Sequence, residues 1–286
     1  MSVASLTSEE TISAITLRRM SDTDWAQVLR SEPRVVVRYV RSAAEHGFRA
    51  AQVTWAQILL DGKLVPRDPA AAFRWFSRAA SLGSLDGINM VGRCHELGWG
   101  VPVDHPEAAR WFRQAAEKGS DWGAYNLGCM LLYGEGIEHD PSEALRWFLA
   151  GAGRGNAKAM GFVGRCHEEG WGTRPDQAAA LSWYGRAAEA GDCWAQFNLA
   201  MHLLEAGTLD GAVGWLRRSL ETGTPNYLAE AGRELVRQDE PVLAEIGRIA
   251  LERASAAGIS QQDEAPPSNT PGLLRRLIGP RGRKPA

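Results

Sequence analysis

Trp75, Trp111, Trp147 and Trp183 stand 36 residues apart, and an aromatic follows each one: Phe76, Phe112, Phe148 and Tyr184. Gly83, Gly119, Gly155 and Gly191 keep the same step, as do Asp68, Asp104, Asp140 and Asp176. A fixed period of this length marks an array of two-helix units, none of which can bury its apolar side alone. The expected fold class is therefore all-α, an α/α superhelical solenoid of 36-residue two-helix repeats. A solenoid offers an extended surface rather than a closed pocket, which points to binding.

Each unit carries its own helix signals. In Asp104-His105-Pro106-Glu107, the Asp104 carboxylate is placed to cap a helix, Pro106 fits the first turn, and Glu107 completes a capping-box spacing. Asp68-Pro69 and Asp140-Pro141 repeat the signal. Ala108, Trp111 and Ala115 follow at spacings of three and four, one face of a helix. On this reading the alanines let neighbouring helices approach and the Trp fills the space between layers. Gly119 then ends the helix in a left-handed conformation. The other helix of the unit runs from about Asp86 to Leu97. Small residues recur in it at Ala51, Gly87, Gly123, Ala159 and Ala195, and again at Ala56, Gly92, Gly128, Gly164 and Ala200. A glycine inside a helix costs about 1 kcal/mol relative to alanine, so its repetition implies a crowded helix contact. Gly98-Trp99-Gly100, Gly134-Glu135-Gly136 and Gly170-Trp171-Gly172 supply tight turns.

This pattern resembles the Sel-one-like (SEL-like) repeat, a relative of the tetratricopeptide repeat, over about Phe48 to Gly223. The shared elements are a small residue before Leu-Gly, then Gly-x-Gly, Asp, Ala-x-x-Trp-Phe/Tyr, Ala-Ala and Gly. The resemblance implies an α/α superhelix with a protein-interaction or adaptor role and no catalysis. Secreted members often carry disulfides within repeats, whereas Cys94, Cys129, Cys166 and Cys193 here form no regular pairs. Cytosolic bacterial members with the Gly-Trp-Gly form occur near iron-uptake genes, so the resemblance also carries a loose association with iron uptake.

The array is expected to span residues 22–259 with divergent helical caps at both ends, after a partly disordered lead over residues 1–21. Tyr39, Ala43, Ala44 and Gly47 stay in phase one period before Trp75. Trp215 follows Trp183 by only 32 residues, so four are missing around Gly207 to Gly211. Residues 260–286 read as a disordered Pro-rich linker and a basic tail. The whole chain carries a net charge of −2; the five basic residues of that tail, Arg275, Arg276, Arg281, Arg283 and Lys284, leave the remainder at −7. This balance argues against nucleic acid as a partner of the solenoid body. The tail is basic and amphipathic, suited to touching an acidic surface, with a solvated inert end as the other reading. No secretory signal or membrane span is visible, so the expected location is cytoplasmic, with reduced thiols.

A longer period overlies the first. Val91–Gly100, VGRCHELGWG, returns as VGRCHEEGWG at Val163–Gly172, 72 residues on. Duplication of a two-unit block accounts for it, and so would a two-step binding surface. The Cys-His-Glu sequences carry zinc- or iron-ligating types, which makes a metal- or redox-sensing regulator the alternative function. Adjacent helical residues project about 100° apart, so Cys94 and His95 do not readily share an ion. His95 and His167 are instead expected to be packing histidines satisfied by a hydrogen bond. No metal or other cofactor is expected, and no nucleophile with an arranged base appears.

The expected function is a non-catalytic scaffold or adaptor that binds a peptide or partner helix in a concave groove. A regular helix from Gly87 places Asn89, Arg93 and Glu96 opposite Val91 and His95. The equivalents are Tyr125, Cys129 and Leu132, then Gly161, Arg165 and Glu168, then Phe197, Met201 and Leu204. Charged and apolar triplets alternate. Asn126 and Asn198 are placed to bond a bound backbone. The expected partner-binding residues are thus Asn89, Arg93, Glu96, Tyr125, Asn126, Arg165, Glu168, Phe197, Asn198 and Met201. For Tyr125 and Phe197 ordinary interlayer packing is an equal reading.

Overall fold

The computed structural model describes residues 11–258, which contain fifteen helices and no strand. The expectations for the Pro-rich linker and basic tail fall outside the described residues. The chain forms two compact units, divided between Asn156 and Ala157.

The first unit contains α1 (Ala14–Arg19), α2 (Asp22–Leu29), α3 (Pro33–Glu45), α4 (Arg49–Asp61), α5 (Pro69–Ser81), α6 (Leu85–Leu97), α7 (His105–Glu117), α8 (Asp121–Tyr133) and α9 (Pro141–Gly153). From α4 onward the helices come in pairs, a first helix, termed inner below, and a second, termed outer, each 13 residues long. α3 begins 36 residues before α5, so the divergent first unit keeps the phase. Within the lead, α1 is ordered against it: Leu17 is buried, and the Ile12 amide donates to Ser42 Oγ at 3.1 Å.

The second unit contains α10 (Ala157–Glu169), α11 (Gln177–Glu189), α12 (Cys193–Glu205), α13 (Leu209–Thr222), α14 (Pro225–Leu235) and α15 (Pro241–Ala256). The short step to Trp215 arises between α12 and α13, where the loop is residues 206–208 instead of the longer 170–176 between α10 and α11. α14 and α15 close the unit over Phe197, Leu216, Tyr227 and Ile246.

The aspartates cap the outer helices as expected. Asp68, Asp104, Asp140 and Asp176 accept from the Ala71, Glu107, Glu143 and Ala179 amides at 2.8, 2.9, 2.8 and 3.0 Å. The backbone amide of each aspartate donates back to the preceding inner helix, for example Asp104 to the His95 carbonyl at 2.8 Å. That bond closes the hairpin and ties up the amide a capping box would use. Glu107 instead accepts from the Trp111 indole N–H at 2.8 Å.

The aromatic pair is phased differently from the expectation. Phe76, Phe112, Phe148 and Tyr184 are fully buried, whereas Trp75, Trp111, Trp147 and Trp183 are only half-buried. On α7 the buried set is Ala108, Ala109, Phe112, Ala115 and Ala116, a stripe displaced from the Ala108–Trp111–Ala115 line. The Trp therefore flanks the core and keeps its N–H near the surface, as an amphipathic ring does. Trp147 donates to Glu143 at 3.1 Å. Arg78, Arg186 and Arg218 lie over Trp75, Trp183 and Trp215 at 5.2, 4.0 and 5.1 Å from the ring centres.

The inner-helix glycines have the crowding inferred for them. A Cβ on Gly92, Gly128 or Gly164 would lie 2.7, 2.6 or 2.8 Å from the ring of Phe112, Phe148 or Tyr184. In the turns, Gly98 and Gly100 have φ of 71° and 77°. A Cβ on Gly100 would also strike the Pro69 carbonyl at the start of α5. The turn of one repeat is thereby seated on the outer helix of the repeat before it.

Candidate functional site

The inner helices present the residues singled out in the sequence, and the structure distributes them between wall and surface. Asn89, Tyr125, Asn126, Arg165 and Phe197 are buried; Arg93, Glu96, Glu168, Asn198 and Met201 are half-buried. Asn126 Nδ2 donates to Asn89 Oδ1 at 2.9 Å, which stitches α8 to α6. Tyr125 takes Trp122 edge-on, with ring centres 5.9 Å apart. Trp122 itself is 44% exposed, leaving a large indole at the start of α8. Phe197 packs near Trp194, which in turn stands edge-on to Tyr227 at 4.6 Å.

The 72-residue period resolves into a structural motif. Arg93 lies over the Trp99 ring at 5.5 Å, and Arg165 lies over the Trp171 ring at 4.7 Å. The intervening unit has Cys129 in place of the arginine and Glu135 in place of the loop tryptophan. Guanidinium and indole therefore occur together and are missing together. This supplies a physical role for the alternation, because an indole face attracts a guanidinium. The sequence signal for this pairing was present in the repeated Arg-x5-Trp spacing.

The acids beside the two arginines differ. Arg93 Nη1 pairs with Glu96 at 3.0 Å. Burial pushes the Glu96 carboxyl above its ordinary value; Arg93 opposes that shift, Glu135 adds to it, and His105 opposes it. Glu168, one 72-residue step later, faces α11 and α12 instead. Its Oε2 accepts from the Tyr184 hydroxyl at 2.7 Å, and its Oε1 lies 3.0 Å from His202 Nε2. His202 Nδ1 lies 3.2 Å from Gln177 Nε2 and 3.3 Å from Glu205 Oε2. Burial and the neighbouring Glu168 charge hold the Tyr184 hydroxyl well above the usual phenol range. His202 was not picked out from the sequence. It has no counterpart in the other repeats, where Ile58, Cys94, Met130 and Cys166 hold its place.

The Cys-His-Glu sequences do not assemble a ligand set. Among the described residues, no three His, Cys, Asp or Glu side chains are grouped to hold a metal ion. Cys94 and Cys166 are buried, and burial raises both thiols to about 12, far from the thiolate that binds metal or reacts. The expected hydrogen bonds of the two histidines are also missing at one nitrogen: His95 Nδ1 and His167 Nδ1 are buried with no hydrogen-bond partner. His95 serves as an aromatic wedge, edge-on to Phe73 at 5.7 Å between ring centres. No helix of the described residues is long and apolar enough to cross a membrane.

The comparisons agree with this architecture. The model of a family described as Sel1 repeat matches residues 49–84, 85–120, 123–156 and 157–192. Among solved structures, a Sel1 repeat protein from Oxalobacter formigenes is 24% identical with a TM-score of 0.61, covering 80% of this chain and 93% of that one. The protein c5321, a protective antigen present in uropathogenic Escherichia coli strains and displaying an SLR fold, is 28% identical with a TM-score of 0.56. That match covers 80% of this chain and 50% of c5321, so this chain spans about half of its length. An immunity protein from Pseudomonas aeruginosa, Pa5087, shares the fold at 16% identity and a TM-score of 0.55, covering 77% of this chain and 89% of that one. No curated protein matches the chain.

Proposed function

The chain belongs to the Sel1 repeat family, and from that membership we propose that it is a non-catalytic adaptor holding a peptide or partner helix along its inner helices. The observation that carries this reading is the recurring Arg–Trp stack, Arg93 on Trp99 and Arg165 on Trp171. Each stack precedes an inner helix with apolar residues in the corresponding register, Tyr125 on α8 and Phe197 on α12. Within each unit, a cationic, planar anchor followed by an inner helix with an aromatic in its wall suits an extended chain that alternates polar and apolar side chains. Asn198 and Met201, half-buried on α12, are the residues assigned to direct contact in the second unit. Asn89, Asn126 and the two aromatics form the wall that holds the contacting groups in place. The buried thiols of Cys94, Cys166 and Cys193 suit a reducing, cytoplasmic setting.

Site-directed photo-crosslinking tests this reading. A benzophenone amino acid at Met201 should give a discrete adduct with a cellular protein. The same group at exposed Arg110, on outer helix α7, should not. Adducts from Arg110 alone would place the partner on the outer helices and overturn the assignment.

A further inference from the structure

We infer that Arg165 is an anchor for a carboxylate carried by the bound peptide. This deepens the adaptor reading and rests on it. Arg165 is only 6% exposed, yet no carboxylate of the described residues lies within ion-pairing distance. Its Nε is buried without a hydrogen-bond partner. The guanidinium is held between the Phe162 and Trp171 rings, 5.5 and 4.7 Å from their centres.

Arg93 shows what the same register does when its charge is answered, for it keeps the Trp99 stack and pairs with Glu96 three residues on at 3.0 Å. Arg165 has the equivalent acid, Glu168, in the equivalent place. Two side chains draw that acid away. Tyr184 supplies a hydroxyl where Phe76, Phe112 and Phe148 have none, and it donates to Glu168 at 2.7 Å. His202 replaces the Cys94, Met130 and Cys166 of three preceding repeats and takes the second oxygen at 3.0 Å. The repeat thus retains its acid and spends both oxygens elsewhere.

A buried guanidinium without a direct ion pair is costly, and an aromatic face offsets only part of that cost. A ligand carboxylate would answer the charge. A planar guanidinium stacked on a ring keeps its edge for two parallel hydrogen bonds to a carboxylate. The ligand class is therefore a peptide bearing an Asp or Glu side chain, or a free C-terminal carboxylate, at this position.

The test uses the full chain and three pools of degenerate ten-residue peptides. One pool has a fixed central Glu and an amidated end, one a fixed central Gln and an amidated end, and one no fixed acid and a free C-terminus. Binding is read by fluorescence anisotropy. The inference expects the Glu pool, the free-carboxylate pool or both to bind more tightly than the Gln pool, on the order of tenfold or more for a charge-assisted contact. The preference tells the two carboxylate sources apart. Arg165→Met should abolish that preference while melting no lower than the native chain. Tyr184→Phe with His202→Met installs the side chains of other repeats and frees Glu168 for Arg165. It should therefore weaken acid binding with Arg165 intact. Equal binding of all pools would overturn the carboxylate anchor and leave the adaptor reading standing. An acid preference that survives both variants would likewise overturn it. Failure of every pool to bind would remove the adaptor reading as well.

Discussion

Gly128 and Phe148 occupy one another's space: a Cβ added to Gly128 would lie 2.6 Å from Phe148 Cε1. The rings of Phe112, Phe148 and Tyr184 press against Gly92, Gly128 and Gly164 of the inner helix before them, and this contact sets how closely those hairpins close. Gly128→Ala adds a methyl where there is no room. Overpacking of this kind costs about 1–3 kcal/mol, against a helix-propensity gain of about 1 kcal/mol. The variant should melt below the native chain. Gly185, inside α11, has nothing within 4 Å of its missing Cβ, so Gly185→Ala should melt higher. Thermal unfolding of the two single variants checks both signs; a rise for Gly128→Ala would show that the ring moves aside at no cost.

The phase of the outer helix predicts which aromatic matters for stability. Phe112 is fully buried, and Phe112→Ala should cost about 3–5 kcal/mol. Trp111 is half-buried and bonded to Glu107, so Trp111→Ala should cost clearly less, despite the larger residue. Urea unfolding of the two variants gives the order. The reverse order would put the Trp back in the core.

The difference between these two aromatics marks what a single sequence can tell. The period, the helix pairs and the Asp68, Asp104, Asp140 and Asp176 caps are local, because a cap bonds an amide three residues away in its own helix. Trp111 and Phe112 are neighbours on one helix, and only the partner helix decides which of them turns inward. The Arg93–Trp99 and Arg165–Trp171 stacks were readable in principle, since both members return together after 72 residues. The diversion of Glu168 was not. It depends on Tyr184 and His202, which lie on two other helices and break the repeat at single positions.

Two carboxylates should respond to pH with opposite sign. Hydrogen bonds from Arg113 and Trp147 hold the Glu143 carboxyl below its ordinary 4.5. Its contribution to stability is therefore complete above 4.5 and is lost as pH falls toward the lowered value. Burial holds Glu96 above its ordinary 4.5. The folded chain then binds the extra proton, so Glu96 favours folding most below 4.5, and that advantage disappears as pH rises through the raised value. Melting each of Glu143→Gln and Glu96→Gln beside the native chain from about pH 3 to 7 isolates the two slopes. The native-minus-variant difference should grow with rising pH for Glu143 and shrink for Glu96. Two slopes of the same sign would show that one of these environments has been misread.

The buried bond from Asn126 to Asn89 decides whether that amide serves the fold or a ligand. Its 2.9 Å length and the burial of both residues imply that Asn126 Nδ2 is committed to Asn89 Oδ1. Asn126→Ala leaves the Asn89 oxygen without its donor, and a buried polar group so stranded costs about 1–3 kcal/mol. Asn89→Ala strands the Asn126 amide by the same argument. Once one partner is gone, removing the other should cost much less, so the double variant should be markedly more stable than the sum of the single losses predicts. A double-mutant cycle by urea unfolding measures that coupling. Additive losses would show that the two amides act independently. Asn126 would then be released from its wall role and become a candidate to bond the backbone of a bound peptide.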